Sequence, residues 1–399
     1  MSVKVNRRDD STARKGGRVT SFDVARRAGV SRTTVSFVLN GIVDSKISEK
    51  TKARVRKAAR ELAYVPNAAA KALVRRRTEN IGLVYTRSYH HMATNAFFLR
   101  LMDGLMQFVH ERGLRLVIDS IDGRPADTNP LHLARAKHID GLILLEPKKD
   151  DPQLAALARE RFPVVLIGTA PGVGVCSIDI DNTDAARQAV AYLVAQGHRR
   201  IACITNAPLS FTAASARLAG YRQALRDAGI RYDPSLVGIG RFHPESGYQA
   251  MKTLLRARTP PTAVFVASDT VALGSVRAIH ERRLRIPEDI AVFGFDNIVE
   301  SRYTSPPLST VSFPVEEHGK RSGELLLEVM ATGVTAARHM TTPVELVIRE
   351  STTNRAGKAA DSRGRPDTHQ GRARGRPPRT RTTASSSNWE RTQSEEVSI

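Results

Sequence analysis

VARRAGVSRTTVSFVLNG, residues 24–41, decides how this chain begins. It sets Gly29 after one short apolar helix and opens a second helix at Ser31. Helices below about 12–15 residues are marginal in water when isolated, so both must pack on something. The second must also leave a face free. Working outward, Thr20 with Asp23 three residues later reads as a capping box. Val24, Ala25 and Ala28 give the first helix one apolar face. Ser31 is the next N-cap, with Val35, Val38 and Leu39 on the inner side of the helix it opens. A third helix starts at Ser48 and carries Val55, Ala58, Ala59 and Leu62 as its apolar stripe. Two capped helices about a glycine corner, buttressed by a third, spell a helix-turn-helix. Arg32, Thr33, Ser36 and Phe37 fall on the outer face of the second helix, with sizes and donors that reach base edges in a major groove.

Charge placement supports that reading. The chain carries +21 over 399 residues, with a sequence pI near 10.6. Residues 1–79 hold 20 Lys and Arg against 7 Asp and Glu, and residues 355–399 hold 10 against 5. The long middle is nearly neutral. A basic excess concentrated at one end marks a polyanion-binding module. After the third helix come Pro66, Asn67, an alanine-rich run to Leu73, and Arg75, Arg76 and Arg77. A short helix over 67–73 is expected there, with Leu73 as an apolar wedge of the kind that unstacks a minor-groove step.

From Ile81 onward apolar β runs alternate with amphipathic helices. The runs are IGLVY, LRLVID, HIDGLILLE, PVVLIG, RIACIT, TAVFVAS and IAVFGFD; the helices fall at 97–111, 183–196, 214–228, 246–255 and 271–282. Non-alternating apolar strands between helices imply parallel sheets covered on both faces. The length implies two doubly wound lobes with a cleft between them. No nucleophile elbow, phosphate-binding loop or zinc-protease motif occurs, so a binding protein is expected rather than an enzyme, with no cofactor or metal. His90 and His91 are adjacent, which is poor geometry for joint ligation. Cys176 and Cys203 stand alone, and the first residues hold no apolar signal segment. Both fit a reduced cytoplasmic compartment, and no run is long enough to span a membrane.

Six motifs in order resemble the LacI/GalR family of bacterial transcription regulators across roughly residues 19–352. They are VTSFDVARRAGVSRTTVSFVLNG, ISEKTKARVRKAARELAYVPNAAAKAL, IDIDN with GHRRIA, ARLAGYRQAL, PTAVFVASD and VFGFDNIVESRYTSPPLSTV. The resemblance implies a helical headpiece over 19–79 with a hinge helix at 67–73, then a two-lobed sensor of the periplasmic-binding-protein type over 80–352. A disordered basic arm (1–18) and a disordered basic tail (353–399) would flank them. It implies a homodimer on a palindromic double-stranded DNA operator, released or retained through a small-molecule effector, a sugar or related metabolite. DNA contacts carry over to Ser31, Arg32, Thr33, Thr34, Ser36, Phe37, Asn40, Asn67, Ala70 and Leu73. Effector contacts carry over to Arg217 and Asp296, expected at strand ends of opposite lobes, and to Ser268, with Phe97, Phe98 and Phe242 as aromatic walls.

Three departures stand out. An acidic residue often follows the fourth strand in relatives, where this chain has Gly168. Phe211 and Ala213 replace polar side chains of purine-binding members, which argues against purines. The end of the chain lacks the apolar heptads that make tetramers of the lactose repressor, so a dimer is expected. That tail carries RGRP twice, at 363–366 and 374–377, which resembles the core of an A·T minor-groove hook. A plain solvated polycation is the alternative.

Overall fold

The caps start the three N-terminal helices where the sequence places them: α1 (Ser21–Ala28), α2 (Arg32–Leu39) and α3 (Glu49–Glu61). The Thr20 N–H donates to the Asp23 carboxylate at 3.0 Å. The Ser31 and Ser48 hydroxyl oxygens accept from the Thr34 and Thr51 N–H groups at 3.1 and 3.3 Å. Val24, Val35, Val38 and Val55 meet in one small core with Ala25, Ala28, Ala58 and Ala59. The computed structural model describes residues 19–41, 46–66, 72, 77–87, 92, 95–120, 130–333 and 337–353. The arm, most of the 67–73 hinge segment and the tail beyond residue 353 therefore lie outside the described residues.

The middle of the chain forms two six-stranded sheets. Strands β1 (Asn80–Tyr85), β2 (Arg115–Ser120), β3 (Gly141–Leu145), β4 (Val164–Ile167) and β5 (Cys176–Ile180) belong to lobe 1, with helices α4 (Ala96–Glu111), α5 (Pro130–Arg135) and α6 (Pro152–Arg159). The chain then crosses to lobe 2. There β6 (Ile201–Ile204), β7 (Val237–Gly238), β8 (Ala263–Val266), β9 (Ala291–Phe295) and β10 (Ser309–Ser312) alternate with α7 (Asn182–Ala195), α8 (Thr212–Asp227), α9 (Pro244–Leu254) and α10 (Asp269–Glu281). It returns to lobe 1 for α11 (Val315–Thr332) and β11 (His339–Thr342), then crosses a third time to β12 (Glu345–Val347). The strand orders are β11-β5-β4-β3-β1-β2 and β12-β10-β9-β8-β6-β7. All pairings are parallel except β12, which runs antiparallel to β10.

Both sheets reverse their strand order at one place, between β1 and β3 in lobe 1 and between β6 and β8 in lobe 2. Open parallel sheets bind ligands just outside the carboxyl ends of the strands at such a reversal. In lobe 1, α4 and α11 cover one face together. Gly104 makes their close crossing possible, since a Cβ there would lie 1.8 Å from the Glu316 carbonyl oxygen.

Candidate functional site

Two regions carry exposed or converging polar groups. The first is α2. Ser31, Arg32 and Thr33 are exposed at its start, while Thr34, Ser36 and Phe37 are half-buried. The Thr34 hydroxyl pairs with that of Ser31 at 2.9 Å, which steadies the N-terminal turn. Asn40 departs from expectation. It closes α2, is only 8% exposed, and its amide donates to the Ser36 hydroxyl at 3.1 Å. It therefore orients Ser36 from the end of the helix. Asn67, Ala70 and Leu73 lie outside the described residues.

The second region is the cleft between the lobes, where the two order reversals face each other. Arg217 on α8 is buried under three constraints. Its Nε donates to Asn182 Oδ1 at 2.8 Å, its Nη1 donates to the Ala267 carbonyl at 2.7 Å, and its guanidinium lies over the Phe295 ring with the central carbon 3.7 Å from the centroid. Asp296 sits 3.7 Å away from the same Nη1. The resemblance implies opposite lobes for these two side chains, but both belong to lobe 2. The chain crosses before α7, so α8 and the end of β9 are built on one sheet.

Asp296 is held in an unusual backbone conformation, φ 106°, followed by Asn297 at φ 50°. Asp269 organises this turn from below, accepting from the Phe295 and Ile298 N–H groups at 2.8 and 3.1 Å and from the Thr310 hydroxyl at 2.8 Å. Burial pushes the Asp296 carboxyl up to about 6, against the opposing pull of Arg217 and of a hydrogen bond from Ser268. Burial in turn lowers the Arg217 guanidinium from its ordinary value, while Asp296 and Asp179 work to keep it charged.

Lobe 1 supplies the rest. Asn182, first residue of α7, donates its amide to Asp179 of β5 at 3.0 Å while accepting from Arg217, so it ties the two lobes at their first crossing. Burial pushes Asp179 up to about 6. Glu146, just past β3, accepts from Arg87, just past β1, at 2.7 Å. Burial raises Glu146 above the usual carboxylate range, opposed by that cation. The Arg87 guanidinium also lies across the lobe boundary over Phe242, 3.6 Å from the ring centroid. Nearby, residues 147–149 pair with residues 210–212 across the cleft: the Lys149 N–H donates to the Ser210 carbonyl at 2.8 Å and the Thr212 N–H to the Pro147 carbonyl at 3.2 Å.

Of the expected aromatic walls, Phe97 and Phe242 line the cavity. Phe98 does not. It is 3% exposed in the lobe 1 core, with its ring 5.0 Å from that of Tyr85. One helical position separates Phe97 from Phe98, enough to turn one toward the cleft and the other inward. Phe211 and Phe313 complete the walls, Phe211 meeting Phe242 edge-on at 4.9 Å between centroids. Ser268 and Ala213 line the cavity as well. Gly168 keeps its place because its φ is 111° and a Cβ would lie 2.7 Å from Pro147 Cδ. The cleft's acids come from Glu146 and Asp179 instead.

Arg87, Glu146, Asp179 and Asn206 went unnamed in the sequence reading. Three of them carry a signal: Arg87 and Glu146 stand two and one residues past IGLVY and LILL, the two strands flanking the order reversal, and Asn206 stands two past IACI. Among the described residues no cluster could hold a metal ion, and no helix is long and apolar enough to cross a membrane.

Comparison with known proteins agrees with this geometry. Residues 22–67 match the model for bacterial regulatory proteins of the lacI family, and residues 190–352 match a periplasmic binding protein-like domain. The HTH-type transcriptional regulator CelR of Thermobifida fusca is 37% identical over 334 residues, which cover 82% of this chain and 96% of the relative. A solved CelR–cellobiose complex superposes with a TM-score of 0.63 at 35% identity, over 84% of this chain and 100% of that one. The lac repressor dimer bound to operator and the anti-inducer ONPF gives 0.73 at 31% identity, over 85% and 100%. The chain belongs to the LacI family of bacterial regulatory proteins. It is a DNA-binding transcriptional regulator, with the helix-turn-helix of residues 21–39 as its DNA-binding element.

Proposed function

We propose that the protein is a cytoplasmic repressor that binds a two-fold symmetric operator as a homodimer and answers to a hydroxyl-rich small molecule, a sugar or close relative, held between its lobes. Arg32, Thr33 and Ser36 read bases from α2, with Ser31, Thr34 and Asn40 bracing them. Asn67, Ala70 and Leu73 act in the minor groove at the hinge. Arg217, Asp296 and Ser268 bind the effector's polar edge, and Phe97 and Phe242 cover its flat faces. One relative fits this class: CelR has been solved with cellobiose.

The observation that carries the reading is the cleft's chemistry. Buried ionic side chains from both lobes meet aromatic rings in one cavity, which is how proteins hold ligands with apolar faces and hydroxyl rims. Binding without turnover is the role such a lobe pair has in a regulator, so no enzymatic step is assigned. A thermal-shift screen of sugars, nucleosides and polyols tests the proposal. It expects a stabilising ligand whose effect Arg217→Ala or Asp296→Ala abolishes while DNA binding persists. If Asp296→Ala keeps full ligand affinity, that residue is structural.

A further inference from the structure

Polar atoms buried around the cleft are unequally served. Arg87 Nε and Nη1, Glu146 Oε2 and Asn206 Oδ1 have no hydrogen-bond partner, and Arg87 and Asn206 are 5% and 7% exposed. Buried polar groups without partners are rare in proteins and call for an explanation such as a ligand. Glu146 and Asn206 line the cavity, and their unpartnered oxygens accept, so a ligand there must donate. Hydroxyl groups donate without carrying charge.

Charge narrows the class further. Among the described residues, Arg217 and three carboxylates, Glu146, Asp179 and Asp296, line the cavity, with Arg87 packed behind Glu146 and Phe242. Arg87 is matched by Glu146 at 2.7 Å and Arg217 by Asp296 at 3.7 Å. Asp179 has an amide and a backbone N–H as its hydrogen-bond donors, from Asn182 and Ile180. His318 also lines the cavity, but burial holds it down to about 4 and its Nε2 is engaged with the Thr342 hydroxyl at 2.5 Å, so it adds no positive charge near neutral pH. Lys148 and Lys149 line the outer groove, where the Lys149 ammonium donates to the Ser215 hydroxyl at 2.7 Å.

We propose that the cleft selects an uncharged polyhydroxylated ligand and rejects phosphorylated or carboxylated sugars, because both of its cations are already neutralised and Asp179 is a surplus carboxylate. A ligand anion here would be buried beside like charge with no counter-charge, and water would hold it better. A hydroxylated ring satisfies Glu146 and Asn206 without adding charge. The inference rests on the reading of the cleft as the site of a hydroxylated effector.

The test uses the full chain and matched probe sets: glucose, glucose 6-phosphate and glucuronate; ribose and ribose 5-phosphate; cellobiose and cellobionate; with neutral pentoses, hexoses, disaccharides and polyols alongside. Binding is followed by thermal shift and calorimetry. The expected result is a neutral binder whose phosphate or carboxylate counterpart binds at least 100-fold more weakly. Asp179→Asn should narrow that gap at least 10-fold for the carboxylate, in a protein with unchanged circular dichroism. An anion that binds as well as its neutral parent overturns the selectivity and leaves the sugar reading standing. A gap unchanged in folded Asp179→Asn overturns the surplus carboxylate as its cause. Absence of binding across every set overturns the hydroxylated-effector reading and the selectivity with it.

Discussion

Arg100 of lobe 1 donates from Nη1 to the backbone carbonyl of Asp296 in lobe 2 at 3.0 Å, and to that of Asn297 at 3.2 Å. Its other nitrogens grip Glu316 at the start of α11, at 2.6 and 2.8 Å. The turn that aims the Asp296 carboxylate into the cleft is therefore held from outside by the opposite lobe. Any motion that parts the lobes must break these bonds or carry the turn with it.

Arg100→Met keeps the aliphatic stem and removes the donors. Hydrogen bonds from a charged group contribute about 1.5–3 kcal/mol each when their partners are left unserved. The variant should exchange the backbone amides of residues 296–298 at least tenfold faster, with little change in the β8 amides. Arg321→Met is the control, since its pairs with Glu317 and Glu324 on α11 are exposed and screened by water. Unchanged exchange at 296–298 would show that bonds within lobe 2, to Asp269, Thr310, Val311 and Arg349, fix the turn without Arg100.

Asp179 gives a pH dependence of known sign. Its folded value is about 6 and its ordinary value 3.8. Below pH 4 both folded and unfolded states hold the proton and no penalty applies. As pH rises from 4 to 6 the unfolded state releases it first, so the folded state loses stability, and above 6 the loss is constant. Asp179→Asn should therefore melt higher than the parent at pH 7.5, by an amount equivalent to about 1–3 kcal/mol, and equal it near pH 4. The check is a series of melts from pH 4 to 8; equal differences at every pH would refute the assignment.

Ser31 tests the α2 start. Its hydroxyl oxygen accepts the Thr34 N–H, and loss of such a cap costs about 1 kcal/mol. Ser31→Ala should destabilise the headpiece by that amount, and Ser31→Asp should restore it. Denaturant melts of a headpiece signal separate the two. A restored melt with weak DNA binding would add a direct DNA contact to the capping role.

The headpiece is legible because short-range chemistry writes it: each cap, the glycine corner and each apolar stripe joins residues close in sequence. Seven of the strands were legible because buried parallel strands are apolar without alternation. The segments that bind the lobes together were not. β10, β11 and β12 read STVS, HMTT and ELV, too short and polar to announce strands. In α11, Gly319 looks like a helix breaker, yet a Cβ there would lie 2.1 Å from the Leu101 carbonyl oxygen, so it is a packing device. Which lobe a residue joins depends on these crossings, which is why Arg217 and Asp296 were expected apart. The resemblance names Arg217 and Asp296, which line one cavity, but Arg87 and Glu146 become visible only once the strand order is known.

Selection of bound sites from a random duplex pool by the purified full chain tests the central claim most directly. The account expects enrichment of a two-fold symmetric sequence, with the profile flattened by Arg32→Ala at the base pairs that side chain reads, each such contact discriminating by about 1–3 kcal/mol. Sequence-independent enrichment that falls only with rising salt, identical for the parent and Arg32→Ala, would contradict it.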